Sequence, residues 1–311
     1  MRKKYKIQRL GVTEVNFIAL VLGLIFISVG SLIQRIDFFN GLMVNEFIII
    51  LFPAIVLLRR SNVKKVLKLN RLSMLDTARV ILIVILFYPL VLLCNGLFLS
   101  FLSQFYELKD FSLQVMQHEK SLLTYIFYMA FIPCICEEVF FRGALMNAYE
   151  HYGPKFAVLC SAFIFALFHF DPQNLMAPFM LGILFGMVME ASSSLYAAFV
   201  AHFTNNVLAI LAAKYGNGAI FDFLKSTRAA WEVGSIQFFT IIILVFLSGF
   251  SIFLIAKLYK AIKKDSNKDL AIQEMKFKYE FDIVSFWPIL IMIIVYIFYL
   301  KMNFAIRGSL L

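Results

Sequence analysis

Glu137 and Glu138 stand side by side at the end of an apolar run from Leu122 to Cys136, and Arg142 follows the second by four residues. His169 and His202, two of the four histidines, lie in apolar stretches further on, and Asn206 follows His202 by one helical turn. A charged side chain in hydrocarbon costs about 2.5–3.5 kcal/mol on insertion scales, so a chain keeps it there chiefly for a task. Acid, base and amide groups at membrane depth point to chemistry inside a bilayer.

Helical geometry sorts these groups. Glu138 and Arg142, at i and i+4, share a face and can pair, whereas Glu137 is turned about 100° away and is free to point elsewhere. His202 and Asn206 share one face, with Asn205 turned off it and ranked below. Each group alone has a plainer reading: a salt-bridged helix end for the acids and Arg142, an interfacial hydrogen bond for His169, interhelical hydrogen bonding for His202 and Asn206. Together, on three neighbouring spans with little other intramembrane charge, they read as one site. Glu190 is the exception and is assigned to a helix end. Gly182 and Gly186, spaced small-xxx-small, allow close helix packing beside the cluster.

These residues must be held by membrane helices. The 311 residues are 62% hydrophobic with mean hydropathy +0.85, above the roughly 45–50% apolar content of soluble domains. The fold class is therefore an all-α polytopic membrane protein with about 8–9 transmembrane helices, placed near 12–34, 40–58, 78–103, 121–149, 155–170, 174–190, 194–213, 236–257 and 285–304. The first of these is read as a retained span, too long for a signal-peptide core. The net charge of +10 gathers in three basic stretches, Arg2 to Arg9, Arg59 to Arg71 and Lys257 to Lys278. Each abuts an apolar run, as cytoplasmic loops do, which places the amino terminus inside and excludes a nucleic-acid partner. The segment 106–120 reads as an outside loop, 215–235 as interfacial, and 260–282 as a solvated cytoplasmic helix. Cys94, Cys134, Cys136 and Cys160 lie in apolar runs and read as buried, reduced thiols without metal-ligand spacing. No internal repeat is visible, which disfavours an inverted-repeat transporter.

At the polar cluster the chain resembles the CPBP family, the CAAX proteases and bacteriocin-processing membrane enzymes also called Abi, with the type II CAAX prenyl proteases as eukaryotic relatives. Glu-Glu-x-x-x-Arg reads Glu137 to Arg142, followed by Gly143. Phe-x-x-x-His reads Phe165 to His169, and His-x-x-x-Asn reads His202 to Asn206. The resemblance covers roughly 121–213. It implies a catalytic core of four helices at 121–213, between amino-terminal helices at 1–120 and carboxyl-terminal helices with a basic cytoplasmic segment at 214–311.

The resemblance also implies an intramembrane endopeptidase. Glu137 would be the general base, His169 would share its water, and His202 and Asn206 would donate to the oxyanion. A metal version would use Glu137, His169 and His202 to bind Zn²⁺ and leave one position for water. The sequence leaves metal-dependent and metal-independent schemes open, because there is no His-Glu-x-x-His helix. The Lys- and Ile-rich character points to a bacterial cytoplasmic membrane, where protein prenylation is not expected. The expected substrate is therefore a peptide or small membrane protein, such as a bacteriocin or peptide signal. A proton-coupled transporter and a non-catalytic bacteriocin immunity protein are the alternatives; oligomeric state is open.

Overall fold

The computed structural model describes residues 10–59, 61–103, 105, 115, 118–215, 234–269 and 282–308. Among them the chain is helical with no strand. Eight helices are long and apolar enough to cross a bilayer, and a ninth is shorter. In chain order they are α1 (Val12–Ile36), α2 (Phe38–Leu58), α3 (Met74–Ser103), α4 (Leu122–Tyr152), α5 (Pro154–Leu167), α6 (Pro172–Ser192), α7 (Leu195–Tyr215), α8 (Gly234–Asp269, apolar over Ile241–Ser266) and α9 (Ile283–Met302). The protein is an all-α, multi-pass membrane protein.

Short polar caps and special backbone positions divide one helix from the next. Asp37, extended at φ −143°, ends α1 and accepts from Asn40 N at 3.0 Å to start α2. Ser121 accepts from Thr124 N to start α4, and Asp282 accepts from Val284 N to start α9. These side chains satisfy N–H groups that a helix start leaves without partners. Between α4 and α5 the chain turns at Gly153, whose φ of 109° suits glycine, and Pro154 then opens α5.

The expected fifth span, 155–170, is a helix of 14 residues. At 1.5 Å per residue it measures about 21 Å, short of the roughly 30 Å hydrocarbon core. It still carries the chain from one side to the other. The end of α4, the end of α6 and the start of α7 meet at the loop before α3, where Lys68 Nζ lies 2.8 Å from Glu150 and 3.0 Å from Glu190. Ser194 Oγ also donates to Asn70 O at 2.7 Å. Since α4 and α6 end on the same side, α5 runs between opposite sides. Arg79 near the start of α3 reaches Asp265 near the end of α8 at 2.7 Å, and Asn16 of α1 donates to the Ser285 carbonyl at the start of α9. Asn16 is bonded as well to Tyr149, near the end of α4. The starts of α1, α3, α7 and α9 and the ends of α4, α6 and α8 therefore share one face, and it is the face with the basic loops.

The Lys68 clamp is electrostatically favourable. Burial alone would lower the pKa of its ammonium, but Glu150 and Glu190 more than reverse that and hold it above the ordinary lysine value.

Several loop expectations fall outside the described residues: Arg2 to Arg9, Arg60, most of 106–120, 216–233 with Trp231, and 270–281 with Lys276 and Lys278. The first part of the expected cytoplasmic helix at 260–282 continues α8 without a break to Asp269. The four cysteines are free, Cys134 and Cys136 buried, Cys94 and Cys160 half-buried.

Helices α4 to α7 pack as neighbours, with α2 against α4 and α3 against α6 and α7. Gly182 and Gly186 make the α5–α6 contact close: a Cβ at Gly182 would stand 3.0 Å from Ala162, and one at Gly186 3.0 Å from Val158.

Candidate active site

Helix α4 changes winding at the site. Pro133 follows a π-helical turn, Ile126–Phe131, and opens the α-helical stretch Ile132–Glu138. The helix then widens into a second π turn, Val139–Leu145, which carries Arg142. Such local widenings recur where a helix must aim side chains inward. Ser161 of α5 secures the widened turn by donating to Phe141 O at 2.7 Å.

Glu138 and Arg142 are fully buried, with Arg142 Nη1 2.9 Å from Glu138 Oε1. Arg142 Nη2 donates to Gly182 O at 3.2 Å. The guanidinium carbon sits 4.5 Å from the Phe165 ring centre and 5.4 Å from that of Phe185. The absence of a Cβ at Gly182 leaves room for this arginine, since one would lie 3.2 Å from Nη2. The cation is thus wrapped by a carboxylate, a carbonyl and two aromatic faces, which offsets its desolvation.

His202 of α7 completes the cluster. Its Nδ1 lies 2.8 Å from Glu138 Oε1, its Nε2 3.8 Å from Glu137 Oε2, and its ring stacks on Phe185 with centroids 4.9 Å apart. Glu137, the less buried of the two acids, keeps no ion pair at hydrogen-bond distance. One turn along α7, Asn206 donates to Met129 O at 2.9 Å and accepts from Asn205 Nδ2 at 3.0 Å. Asn205 accepts in turn from the Tyr88 hydroxyl of α3. Asn205, turned away from Asn206 on the helix, is therefore what fixes the orientation of its amide.

His169 lies just past α5. Its Nδ1 donates to Phe165 O at 3.0 Å, leaving Nε2 as an acceptor in the neutral ring. Phe165 meets both imidazoles edge-on, His169 at 5.1 Å and His202 at 6.0 Å, so one aromatic ring sets their separation. The next residue, Phe170, takes φ 46°, a left-handed conformation rare for a bulky side chain. Its buried ring contacts Phe168, Tyr296 and Tyr299, so packing against α9 holds the turn that places His169. His169, Phe170, Asp171 and Tyr299 border a cavity of about 240 Å³.

The structure thus joins Glu137, Glu138, Arg142 and His202 directly, His169 through Phe165, and Asn206 through α7 and Met129. One residue was missed. Glu46 of α2 is 5% exposed and lies in the turn Asn45–Leu51, which packs against the Ile132–Glu138 stretch of α4. Its own signal was present, a single acid inside the apolar run 40–58.

The three proposed zinc donors do not converge in this arrangement. Among the described residues no three His, Cys, Asp or Glu side chains lie close enough together to hold a metal ion. The Nδ1 atoms of His169 and His202 are engaged by Phe165 O and Glu138, so only their Nε2 atoms could reach a metal. The donor set does not fit a three-ligand site as placed.

Residues 119–208 match the family model described as Type II CAAX prenyl endopeptidase Rce1-like. All six expected site residues fall inside that match, and Glu46 lies outside it. This segment is similar to the CAAX-protease family, and that similarity supports an intramembrane protease activity of the CAAX type. No curated protein and no solved structure matches the chain.

Proposed function

We propose that the protein is an intramembrane endopeptidase in which Glu137 activates water without a metal. The observation that carries this reading is the shared Oε1 of Glu138. By holding both Arg142 and His202 at 2.8–2.9 Å it leaves Glu137 with only the longer 3.8 Å approach of His202 Nε2. Glu137 takes one proton from water while His169 Nε2 accepts a hydrogen bond from it. The resulting hydroxide attacks the scissile carbonyl. The oxyanion accepts from His202 Nε2–H and from the Asn206 N–H not used by Met129, each such donor being worth about 3–4 kcal/mol. Glu137 then delivers its proton to the departing amine.

This scheme constrains His202. With Nδ1–H given to Glu138, Nε2 carries a hydrogen only if the ring is the imidazolium. Glu138 is accordingly a group that orients the His202 ring and is itself held by Arg142.

The substrate proposed is a peptide or small membrane protein presented within the bilayer, in a bacterial cytoplasmic membrane. The face carrying the Lys68 loop and the end of α8 is the cytoplasmic one under the positive-inside rule, which puts the amino terminus inside.

The test uses purified protein in proteoliposomes. Chelator-stripped protein should cleave at the untreated rate, while Glu137→Ala and His169→Ala abolish cleavage with normal expression. Loss on stripping and recovery with added Zn²⁺ would replace this scheme with a metal-bound one.

A further inference from the structure

We propose that the cavity beside His169 is a subsite for one basic side chain, lysine or arginine, of the peptide being cut, and that Asp171 selects it. The inference deepens the protease reading above and rests on it. Helices α1 and α9 pack together along their first halves, where Phe17 meets Trp287 at 5.9 Å and a Cβ on Gly23 would stand 3.7 Å from Met292. There the Phe170 ring comes between them. The same Cβ would stand 3.0 Å from that ring, and Tyr296 and Tyr299 meet it from α9. Further along both helices is the cavity of about 240 Å³, lined by Phe26 and Ser31 from α1, Tyr299 and Leu300 from α9, and His169 and Asp171 from the turn between α5 and α6. Sites that enclose whole small ligands run to about 300–1,000 Å³, so this one is sized for a single long side chain.

The lining has the chemistry of a cation site. Asp171 is the one acid there among the described residues. Both its oxygens accept, Oδ1 from Gln173 N at 2.9 Å and Oδ2 from Asn174 Nδ2 at 3.1 Å, as those of a carboxylate do. Neither donor is charged, and no ion pair among the described residues includes Asp171. A carboxylate offers about four acceptor positions, so room for a further donor is left. The rings of Phe26, Phe170 and Tyr299 supply faces that hold an ammonium or guanidinium, and apolar walls suit the methylene stem of either. His169 lines the same cavity, so a side chain seated there belongs to a residue close to the scissile bond. Phe26 lies past the middle of α1 and Leu300 near the end of α9, which puts the cavity in the half of the protein away from the basic loops.

The experiment uses full-length protein in proteoliposomes and quenched fluorescent peptides built on one apolar host sequence. Each position around the cut is scanned with lysine, its neutral isostere norleucine, glutamate and glycine. At one such position wild-type protein should cut the lysine peptide with kcat/KM about tenfold or more above the norleucine one, with glutamate the poorest. Asp171→Asn keeps an oxygen to accept from Gln173 N, a capping role asparagine fills as well, but removes the charge. The lysine-to-norleucine ratio should then fall to within about twofold of unity. Should Asp171→Asn not accumulate, Ser31→Phe carries the test by filling the cavity: the lysine peptide should lose about tenfold against the glycine one, and an unchanged ratio overturns the subsite. Equal rates for lysine and norleucine with wild-type protein, or a ratio that Asp171→Asn leaves unchanged, overturn this inference alone. Norleucine ahead of lysine assigns the cavity to an apolar side chain and overturns it too. Glu137→Gln, measured alongside, keeps the two readings apart, since its loss of all cleavage sustains the base assignment whatever the ratio. No cleavage of any peptide by wild-type protein overturns the protease reading and this inference with it.

Discussion

His202 Nδ1 lies 2.8 Å from Glu138 Oε1, joining the third motif of the chain to the first inside the protein. Arg142 Nη1 meets the same oxygen at 2.9 Å. One carboxylate oxygen therefore serves two donors, and the neighbouring acid, Glu137, keeps only the longer 3.8 Å approach to His202 Nε2. The division of labour between two neighbouring glutamates follows from this single junction.

Removing one member of that junction leaves a buried charge without its partner. Glu138→Leu and Arg142→Leu should each destabilise the protein by about 3–5 kcal/mol. The double variant should cost clearly less than the two together, because it leaves no orphaned charge. Thermal melts in detergent for the three variants decide this, and strict additivity would show that the pair is not coupled.

The spacing at α6 is as demanding as the charges. Gly182→Ala places a methyl 3.0 Å from Ala162 and 3.2 Å from Arg142 Nη2, an overpacking worth about 1–3 kcal/mol. It should also displace the guanidinium and lower cleavage. Gly249 of α8 has nothing within 4 Å of an added Cβ, so Gly249→Ala is the control and should match wild type in melting and turnover. Equal behaviour of the two alanine variants would contradict the packing described for α5 and α6.

Phe165 has three partners, the Arg142 guanidinium and the two imidazoles. Phe165→Leu keeps an apolar residue but removes the face beneath the cation, a contribution of about 0.5–2 kcal/mol. Because the ring also sets the imidazole separation, turnover should fall by about tenfold or more. Unchanged turnover in a variant with a lowered melting temperature would reduce Phe165 to packing.

The Lys68 clamp carries a pH signature. Its ammonium is held above the ordinary lysine value by Glu150 and Glu190. A raised value in the folded state means that its stabilisation is fully present below the unfolded value of about 10.4 and is lost as pH climbs through the folded one. Lys68→Met should therefore melt several degrees below wild type at pH 7 and at pH 9, with the gap closing only in stronger alkali. A gap that closes near neutral pH would contradict the clamp.

Much of this was legible before any coordinates. Motif spacing singled out Glu137, Glu138, Arg142, His169, His202 and Asn206 as candidates, and the i, i+4 pairs among them are local and need no tertiary information. The i, i+4 pair of Glu138 and Arg142 and the close approach at Gly182 and Gly186 stand as expected. Glu46 was not legible as a residue packed against the acidic stretch of α4, since an acid alone in an apolar run does not say which helix it faces. The end of α5 was also overrun, at 170 against Leu167. Phe168 and Phe170 are apolar, and hydropathy does not distinguish a helix from a turn packed against α9. The link from Asn205 to Asn206 escaped for a related reason. Adjacent residues point to different faces, and only the Tyr88 contact from α3 shows the two amides acting together.

The central claim is hydrolysis by water that Glu137 activates. It is tested most directly by comparing the peptides released from membranes of cells that carry either the wild-type chain or Glu137→Gln at equal expression. The account predicts a set of peptides with new termini that appears with the wild-type chain and is missing with the variant. The same peptides at the same levels in both would contradict it.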